Sequence, residues 1–401
     1  MFYVITPAPK FINHQMTLEE LFSGKINFHY TNCKGTNTVT YRCDGYSVPR
    51  RMSEKVGVDI DALINRLKRF NEDHKDLFLD DMSSLYREFY IPKKTHGFRK
   101  IDAPNKELAD ALRELKQIFE WGGSTSGGLS LYHTAAFAYI KGRNTGDAVK
   151  RHQANESMWF GKFDLSNFFG NTTKEFVLKQ LSMIYPYNIV MRDIGGRALL
   201  SKALDLAFLD GGLPQGTPFS PTITNLIMVP IDHELARKFH QLDKQRFIYT
   251  RYADDFLVSS KYDFNVRKIE QAINEVLQRF DAPYRLNAEK TRYGSRSGQN
   301  WNLGVMLNKD NQITVGHKRK RELKAAITSY ILDKRNGNKW ELGDVQVLQG
   351  NISYVMMIEK ECTLGIIKKL NQKFGVDIMA SIKADLKGRQ EDEVDPYESP
   401  F

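Results

Sequence analysis

A mixed α+β fold is predicted by three features of the 401-residue sequence. Apolar runs of strand length, bounded by polar turns, occur at MWFGKFDLSNFF and on both sides of the aspartate pair in QRFIYTRYADDFLVSS. DALINRLKRFNEDHKDLF and KELADALRELKQIFEW instead carry apolar residues at helical spacing. From about residue 311 the pattern is helical and basic, with eight Lys or Arg and only two acids in HKRKRELKAAITSYILDKRNGNK.

In chain order, residues 1–75 read as an N-terminal extension with an amphipathic piece, MTLEELF, and an alternating stretch, NTVTYRCDGYSV, that suggests a hairpin. YREFYIPKKTHGFRKIDAP follows as two strands joined at Thr95-His96-Gly97. The glycines of WGGSTSGG end the next helix in a flexible joint. KALDLAFLDGGLPQGTPFSPTITNLIM is a loop entering a helix. The last thirteen residues, RQEDEVDPYESPF, are polar and acidic with two prolines, and read as a disordered tail over 389–401.

Composition bounds the class. With 41% hydrophobic and 11% aromatic residues the chain can bury a core. A net charge of +10 biases its partner towards a polyanion, although so modest an excess would also serve solubility. Cys33, Cys43 and Cys362 form no paired metal or disulfide pattern, which fits a reducing cytoplasm. MFYVITPAPKF lacks the signature of a signal peptide, and no apolar run of about 18 residues occurs, so a soluble protein without membrane contact is expected.

The aspartate pair is the sharpest local signal. Consecutive strand residues point to opposite faces, so Asp254 and Asp255 can share one surface only at or near a turn, which puts Ala253-Asp254-Asp255 at a hairpin tip. Aspartates in turns are ordinarily solvated, and the bland reading is that and no more. Here FIY before and FLV after would anchor the tip in a core, and KFDLSNFF supplies Asp164 at the end of another apolar strand. Three carboxylates from two distant strand ends suit two hard divalent cations and phosphoryl transfer.

Read together, the segments resemble a bacterial reverse transcriptase. IPKKTHGFRKIDAP resembles the fingers block, FDLSNFF, LPQGTPFSPTITN and YADD the palm blocks, and LNAEKT and WNLGVML the two blocks that follow, all in order between about residues 86 and 307. The resemblance implies a right-hand polymerase architecture, with fingers and palm (antiparallel sheet with helices) over 76–310 and a helical thumb over 311–388. It implies Asp164, Asp254 and Asp255 as catalytic carboxylates binding two Mg²⁺ ions, with Mn²⁺ as a substitute and Asp255 as the more indirect ligand. Lys93 or Lys94 and Arg99 match residues that hold the triphosphate, and Gln215 and Gly216 match a loop against its sugar and base. Phe169 matches the aromatic residue that disfavours a 2′-hydroxyl, with Phe168 as the competing position. Lys290 matches a proposed general acid for departing pyrophosphate, against which stands an ordinary surface lysine. Gly304 would bring backbone near the primer terminus.

Beyond it, Lys318, Arg319, Lys320, Arg321 and Lys324 open a helix with Leu323, Ile327 and Ile331 at helical spacing. Lys318, Arg321 and Lys324 form the expected duplex-facing stripe, and Arg319 lies on the side of Leu323.

The resemblance also ranks the kinds of enzyme. Only about 90 residues follow WNLGVML, too few for the DNA-binding and endonuclease parts of an intron-encoded enzyme or for RNase H. QGTPFSP lacks the final Ser-Gln typical of diversity-generating retroelements. LQGNISYVMMIEKE resembles the end of retron enzymes, yet DAVKRH stands where they carry Asn-Ala-x-x-His, and Asn302-Leu303-Gly304 where they carry Val-Thr-Gly. The expectation is an antiphage defence enzyme copying a structured non-coding RNA into cDNA from dNTPs, with an accessory defence protein as a further partner. A retron enzyme making msDNA ranks second, and an inactive RNA-binding scaffold is the alternative of another class.

Overall fold

The protein is described from a computed structural model, which covers residues 29–32, 39–43, 46–47, 59–93, 97–123, 131–242, 247–296, 301 and 304–392. The expected amphipathic piece MTLEELF, the WGGSTSGG joint from residue 124 onward and the acidic tail from residue 393 onward lie outside the described residues. The predicted N-terminal hairpin is the second half of an antiparallel three-stranded sheet, β1 (His29–Asn32), β2 (Val39–Cys43) and β3 (Tyr46–Ser47).

Helix α1 (Ile60–Asp73) starts at Asp59, whose carboxylate accepts from the Ala62 N–H at 2.9 Å, and buries Leu63, Leu67 and Phe70 at helical spacing. The predicted fingers strands follow as β4 (Tyr86–Pro92) and β5 (Phe98–Pro104), paired antiparallel from Tyr86↔Pro104 to Pro92↔Phe98. The Lys93 N–H to Gly97 carbonyl bond of 2.9 Å closes the tip, while Lys94, Thr95 and His96 lie outside the described residues. Helix α2 (Lys106–Gly123) is capped by Asn105, which accepts from the Leu108 N–H at 2.9 Å.

Helix α3 (Thr145–Ala154) precedes β6 (Trp159–Asp164), the apolar strand predicted to carry a carboxylate at its end. Helices α4 (Lys174–Leu181), α5 (Ile194–Asp205), α6 (Ser220–Ile227) and α7 (Val229–Leu242) lead to the hairpin β7 (Ile248–Tyr252) and β8 (Asp255–Ser260). The predicted loop-to-helix transition falls at Ser220-Pro221, where proline at the first turn needs no N–H partner and Thr217 Oγ1 accepts the Ser220 N–H at 3.2 Å. Helix α8 (Val266–Arg279) follows, and β9 (Arg292–Ser295) completes a four-stranded sheet of order β7-β8-β6-β9. One continuous core joins α1, α2, β6, α6, α7, β8 and α8 through Phe70, Leu112, Phe163, Ile223, Leu235, Phe256 and Ile273. Each such side chain contributes roughly 1.5–3 kcal/mol by leaving water.

Two compact units result: residues 1–144 with 161–293, and residues 145–160 with 294–401. The boundaries expected from the sequence, at 75/76, 310/311 and 388/389, differ from this division. Trp301 stacks on Phe160 at 5.5 Å, the Arg296 N–H bonds the Met158 carbonyl at 2.7 Å, and Gln153 and Asn311 exchange bonds of 2.7 and 2.9 Å. These contacts hold α3 and the segment from residue 294 in the second unit, a long-range pairing that local periodicity does not encode.

The second unit continues with the short hairpin β10 (Met306–Leu307) and β11 (Ile313–Thr314), then α9 (Gly316–Arg335), α10 (Leu342–Ile358), α11 (Lys360–Phe374) and α12 (Ile378–Asp392). Leu323, Ile327 and Ile331 of α9 enter a separate core with Leu348, Ile352, Ile367 and Ile382. Helix α12 runs to Asp392, past the expected helical limit at 388, because Gln and Glu sustain a helix as readily as they populate a tail.

Candidate active site

The palm hairpin turns on two residues. Register runs from Ile248↔Ser259 to Tyr252↔Asp255, leaving Ala253 and Asp254 as the turn and Asp255 as the first residue of β8. Ala253 has φ of +56°, a conformation usually left to Gly or Asn, and is buried. Asp164 ends β6 beside it: the Leu165 N–H donates to the Asp254 carbonyl at 3.1 Å, and the Asn287 N–H to the Asp164 carbonyl at 2.8 Å. The three aspartates therefore gather at one end of the palm sheet.

Their electrostatics differ. Burial raises the Asp254 carboxyl to about 6, and the charges of Asp255 and Asp164 push the same way. Burial also raises Asp255, opposed by Lys162, whose ammonium lies 2.8 Å from its carboxylate. Lys290 stands 2.8 Å from Asp164, and that hydrogen bond raises its own pKa and keeps it cationic. Among the described residues no ion pair engages Asp254. Three carboxylates against two ammonium groups leave net negative charge in a partly dry corner, which is a donor set for hard cations. Among the described residues no three acidic, His or Cys side chains close on a point by themselves.

Phe168 is buried against Tyr284 at 4.9 Å, whereas Phe169 is only half-buried and touches Phe168 at 5.6 Å. Of the two candidates, Phe169 is the one with a free edge. Its carbonyl accepts from the Leu213 N–H at 3.0 Å, tying it to the loop of Gln215 and Gly216. That loop is itself fixed to the fingers, because the Asp102 N–H donates to the Gln215 carbonyl at 2.8 Å. A Cβ on Gly216, at φ +121°, would lie 2.8 Å from Ile101 Cγ2 and 3.1 Å from the Asp102 carbonyl oxygen. The close approach that glycine permits here is to β5 of the protein's own fingers.

On the fingers hairpin Lys93 and Arg99 are exposed, while Lys100 is held by Glu88 at 2.7 Å and Asp102 at 3.2 Å. The Tyr139 hydroxyl is raised first by burial and then by Asp254, with Arg99 acting in the opposite sense, so Arg99 and Asp254 bear on one space. In the second unit Gly304 has φ of +96°, and a Cβ there would lie 3.3 Å from the Tyr354 hydroxyl. Lys318, Arg321 and Lys324 are exposed on α9. Arg319 instead bonds Asn351 at 2.9 Å beside the Tyr354 ring, and Lys320 pairs with Glu359 at 2.7 Å. Two site residues, Lys162 and Tyr139, are absent from the sequence-based expectations. Lys162 had a signal, because it precedes Asp164 by two on one strand and so shares its face. Tyr139, at φ +57°, had no periodic signal.

Comparison with known proteins decides the family. Residues 91–318 match the model of the reverse transcriptase (RNA-dependent DNA polymerase) family. The chain belongs to the reverse transcriptases. It is an RNA-directed DNA polymerase of mixed helix and antiparallel sheet, and it is similar to curated bacterial retron enzymes. It is 28% identical to the retron Ec83 reverse transcriptase of Escherichia coli over 341 residues, which are 83% of this chain and 100% of that one. Identity to the retron Ec73 reverse transcriptase of the same species is 26% over 300 residues, 73% of this chain and 88% of that one. Apo telomerase from Candida tropicalis aligns structurally with 92% of this reverse transcriptase and 71% of its own chain, at 10% identity and a TM-score of 0.47. Reverse transcriptases generally use divalent metal ions. Among the described residues no helix is long and apolar enough to cross a membrane.

Proposed function

We propose that this reverse transcriptase copies a dedicated, structured non-coding RNA into cDNA by two-metal-ion nucleotidyl transfer, as part of bacterial antiphage defence in the cytoplasm. The gathering of Asp164, Asp254 and Asp255 at the end of the palm sheet, where burial and mutual repulsion hold Asp254 at about 6, carries the chemical part of that reading. Asp164 and Asp254 would hold two Mg²⁺ ions, or Mn²⁺ in their place, with Asp255 the less direct ligand because Lys162 occupies it. When bound, the ions lower the pKa of the primer 3′-hydroxyl and neutralise triphosphate charge.

The remaining steps belong to side chains. Lys93 and Arg99 grip the triphosphate, Arg99 able to do so with two parallel hydrogen bonds. Phe169 fills the space beside the sugar 2′ position, and the backbone of Gln215 and Gly216 sets how far the fingers strand stands from it. Lys290, kept protonated by Asp164, supplies a proton to departing pyrophosphate. Exposed Lys318, Arg321 and Lys324 bind duplex phosphates, and Gly304 lies at the primer terminus.

A retron role, with msDNA as product, is the second reading. Identity over the full length of the Ec83 enzyme favours it. An inactive RNA-binding scaffold is disfavoured by three intact carboxylates. The experiment is to supply the purified protein and its co-purifying nucleic acid with Mg²⁺ and labelled dNTPs or NTPs, then to sequence product and template. DNA copied from one recurrent RNA supports the proposal, a branched RNA–DNA hybrid selects the retron reading, and unrelated templates overturn a dedicated RNA. Loss of phage protection in cells carrying Asp254→Ala tests the defence role, together with any accessory protein.

A further inference from the structure

Below the catalytic turn lies an ion pair that the chemistry above does not use. Arg251, on β7, and Asp232, on α7, have fully buried side chains and meet at 2.8 Å. Arg251 Nε adds bonds of 2.9 and 3.1 Å to the two carboxylate oxygens, and the Tyr249 hydroxyl donates to Asp232 at 2.7 Å. The remaining arm of the guanidinium, Nη1, donates at 3.0 Å both to Asn225 Oδ1 on α6 and to the carbonyl oxygen of Ala253. The Asn225 amide in turn donates to the Ala138 carbonyl at 2.6 Å. Main-chain bonds bind Arg251 to the same segment, its N–H to the Ala135 carbonyl at 2.6 Å and its carbonyl from the Phe137 N–H at 2.9 Å.

Stability alone does not account for such a pair. Removing two charges from water costs so much that well-packed apolar residues in their place are often neutral or stabilising. What apolar residues could not do is hold a carbonyl. Ala253 occupies the left-handed region, and its carbonyl sits in the turn, outside the Tyr252↔Asp255 end of the ladder. The peptide joining Ala253 to Asp254 is thus fixed from one side by Arg251, while the Asp254 carbonyl is fixed from the other by the Leu165 N–H.

We propose that Arg251, anchored by Asp232 and Asn225, is a positioning residue for Asp254: its guanidinium clamps the Ala253–Asp254 peptide and so sets where the carboxylate stands. The inference rests on the metal-binding role of Asp254 proposed above. Only arginine suits the position, because a rigid fork must reach a carboxylate, an amide and a main-chain carbonyl at once.

The test uses the full chain and Asp254→Ala as a control. In Arg251→Met combined with Asp232→Leu the charges leave together and packing is kept, so melting temperature and dNTP KM should stay near wild type. The kcat should fall about 10–100-fold, the range expected for misplacement of a reacting group by up to about 1 Å. The rise in melting temperature on adding Mg²⁺ should shrink with it, a readout that a purely structural pair would not move. Arg251→Lys, which keeps a cation against Asp232 but has one nitrogen and no fork, should show the same kcat loss. If one of these variants fails to fold, the other still tests the clamp. If neither folds, Asn225→Ser, which leaves the ion pair whole and frees Nη1 from one anchor, should still lower kcat. Wild-type kcat and Mg²⁺ response in a folded variant overturn the proposal. Wild-type synthesis by Asp254→Ala would instead overturn the metal assignment, and the two failures are distinct.

Discussion

At the palm, the largely buried Lys162 stands 2.8 Å from Asp255 in a partly dry corner, whereas Lys318, Arg321 and Lys324 of α9 reach into solvent, as Lys290 does, but with no ion pair of their own among the described residues. Both groups are basic, but they work in different dielectrics. Charges in the palm interact with specific partners over a few ångströms and shift pKa values, which makes their geometry decisive and salt almost irrelevant. Charges on α9 act collectively and are screened within about 8 Å at physiological ionic strength, so their number decides and their individual placement does not. A substitution should therefore be all-or-none in one region and graded in the other.

The largest effect is expected at the palm. Asp254→Ala should reduce dNTP incorporation by several orders of magnitude in a primer-extension assay, while circular dichroism and RNA binding stay near wild type. Retained synthesis would place the metals elsewhere.

Next comes sugar selection. Phe169→Val should lower discrimination against ribonucleotides tenfold or more, equivalent to about 1.4 kcal/mol, measured as the ratio of kcat/KM for dNTP and NTP. Phe168→Val should leave the ratio alone and cost roughly 1–3 kcal/mol of stability, since that ring is buried against Tyr284. The reverse outcome would shift the assignment by one residue.

A graded response is expected from α9. Replacing Lys318, Arg321 and Lys324 with Gln should shorten products and reduce the slope of log K against log salt by about two to three, with single-nucleotide chemistry spared. Replacing Arg319 should instead lower stability, because it is held by Asn351 and Tyr354. An unchanged slope would move the duplex to another surface.

The smallest effect, on stability, has a definite sign. The carboxyl of Asp254 has a folded pKa of about 6, above its unfolded value near 3.8, so the folded state binds its proton more tightly. Its contribution is favourable below the unfolded value and is lost as pH rises through about 6. Without divalent ions at pH 7, Asp254→Asn should therefore be more stable than wild type by on the order of 1–2 kcal/mol, allowing for partial exposure. Added Mg²⁺ should raise the melting temperature of wild type more than that of the variant. A less stable metal-free variant would remove burial and repulsion as the cause of the raised pKa.

How far each region was legible follows from how local its signals are. The hairpin tip at Ala253–Asp254 follows from two adjacent aspartates that cannot share a strand face, set between the apolar runs FIY and FLV, and the α9 stripe from Leu323, Ile327 and Ile331, since both patterns lie within a few residues. Arg251 looked like one more polar residue before an aspartate pair. Its partners Asp232 and Asn225 lie 19 and 26 residues away on two helices, and only tertiary packing makes a network of them. The grouping of 145–160 with 294–401 was hidden for the same reason, as was the service of Gly216 to β5.

The main-chain bond from Leu213 to the Phe169 carbonyl has an evolutionary consequence. The path of this loop is fixed through backbone atoms rather than through the side chain of residue 169, and on the assignment proposed here that side chain reads the 2′ position of the sugar. Valine or leucine is one nucleotide away from a phenylalanine codon. The frame can thus survive a mutation that changes which nucleotides it admits, and a lineage of such enzymes can drift between deoxy- and ribonucleotide use without passing through an unfolded intermediate sequence.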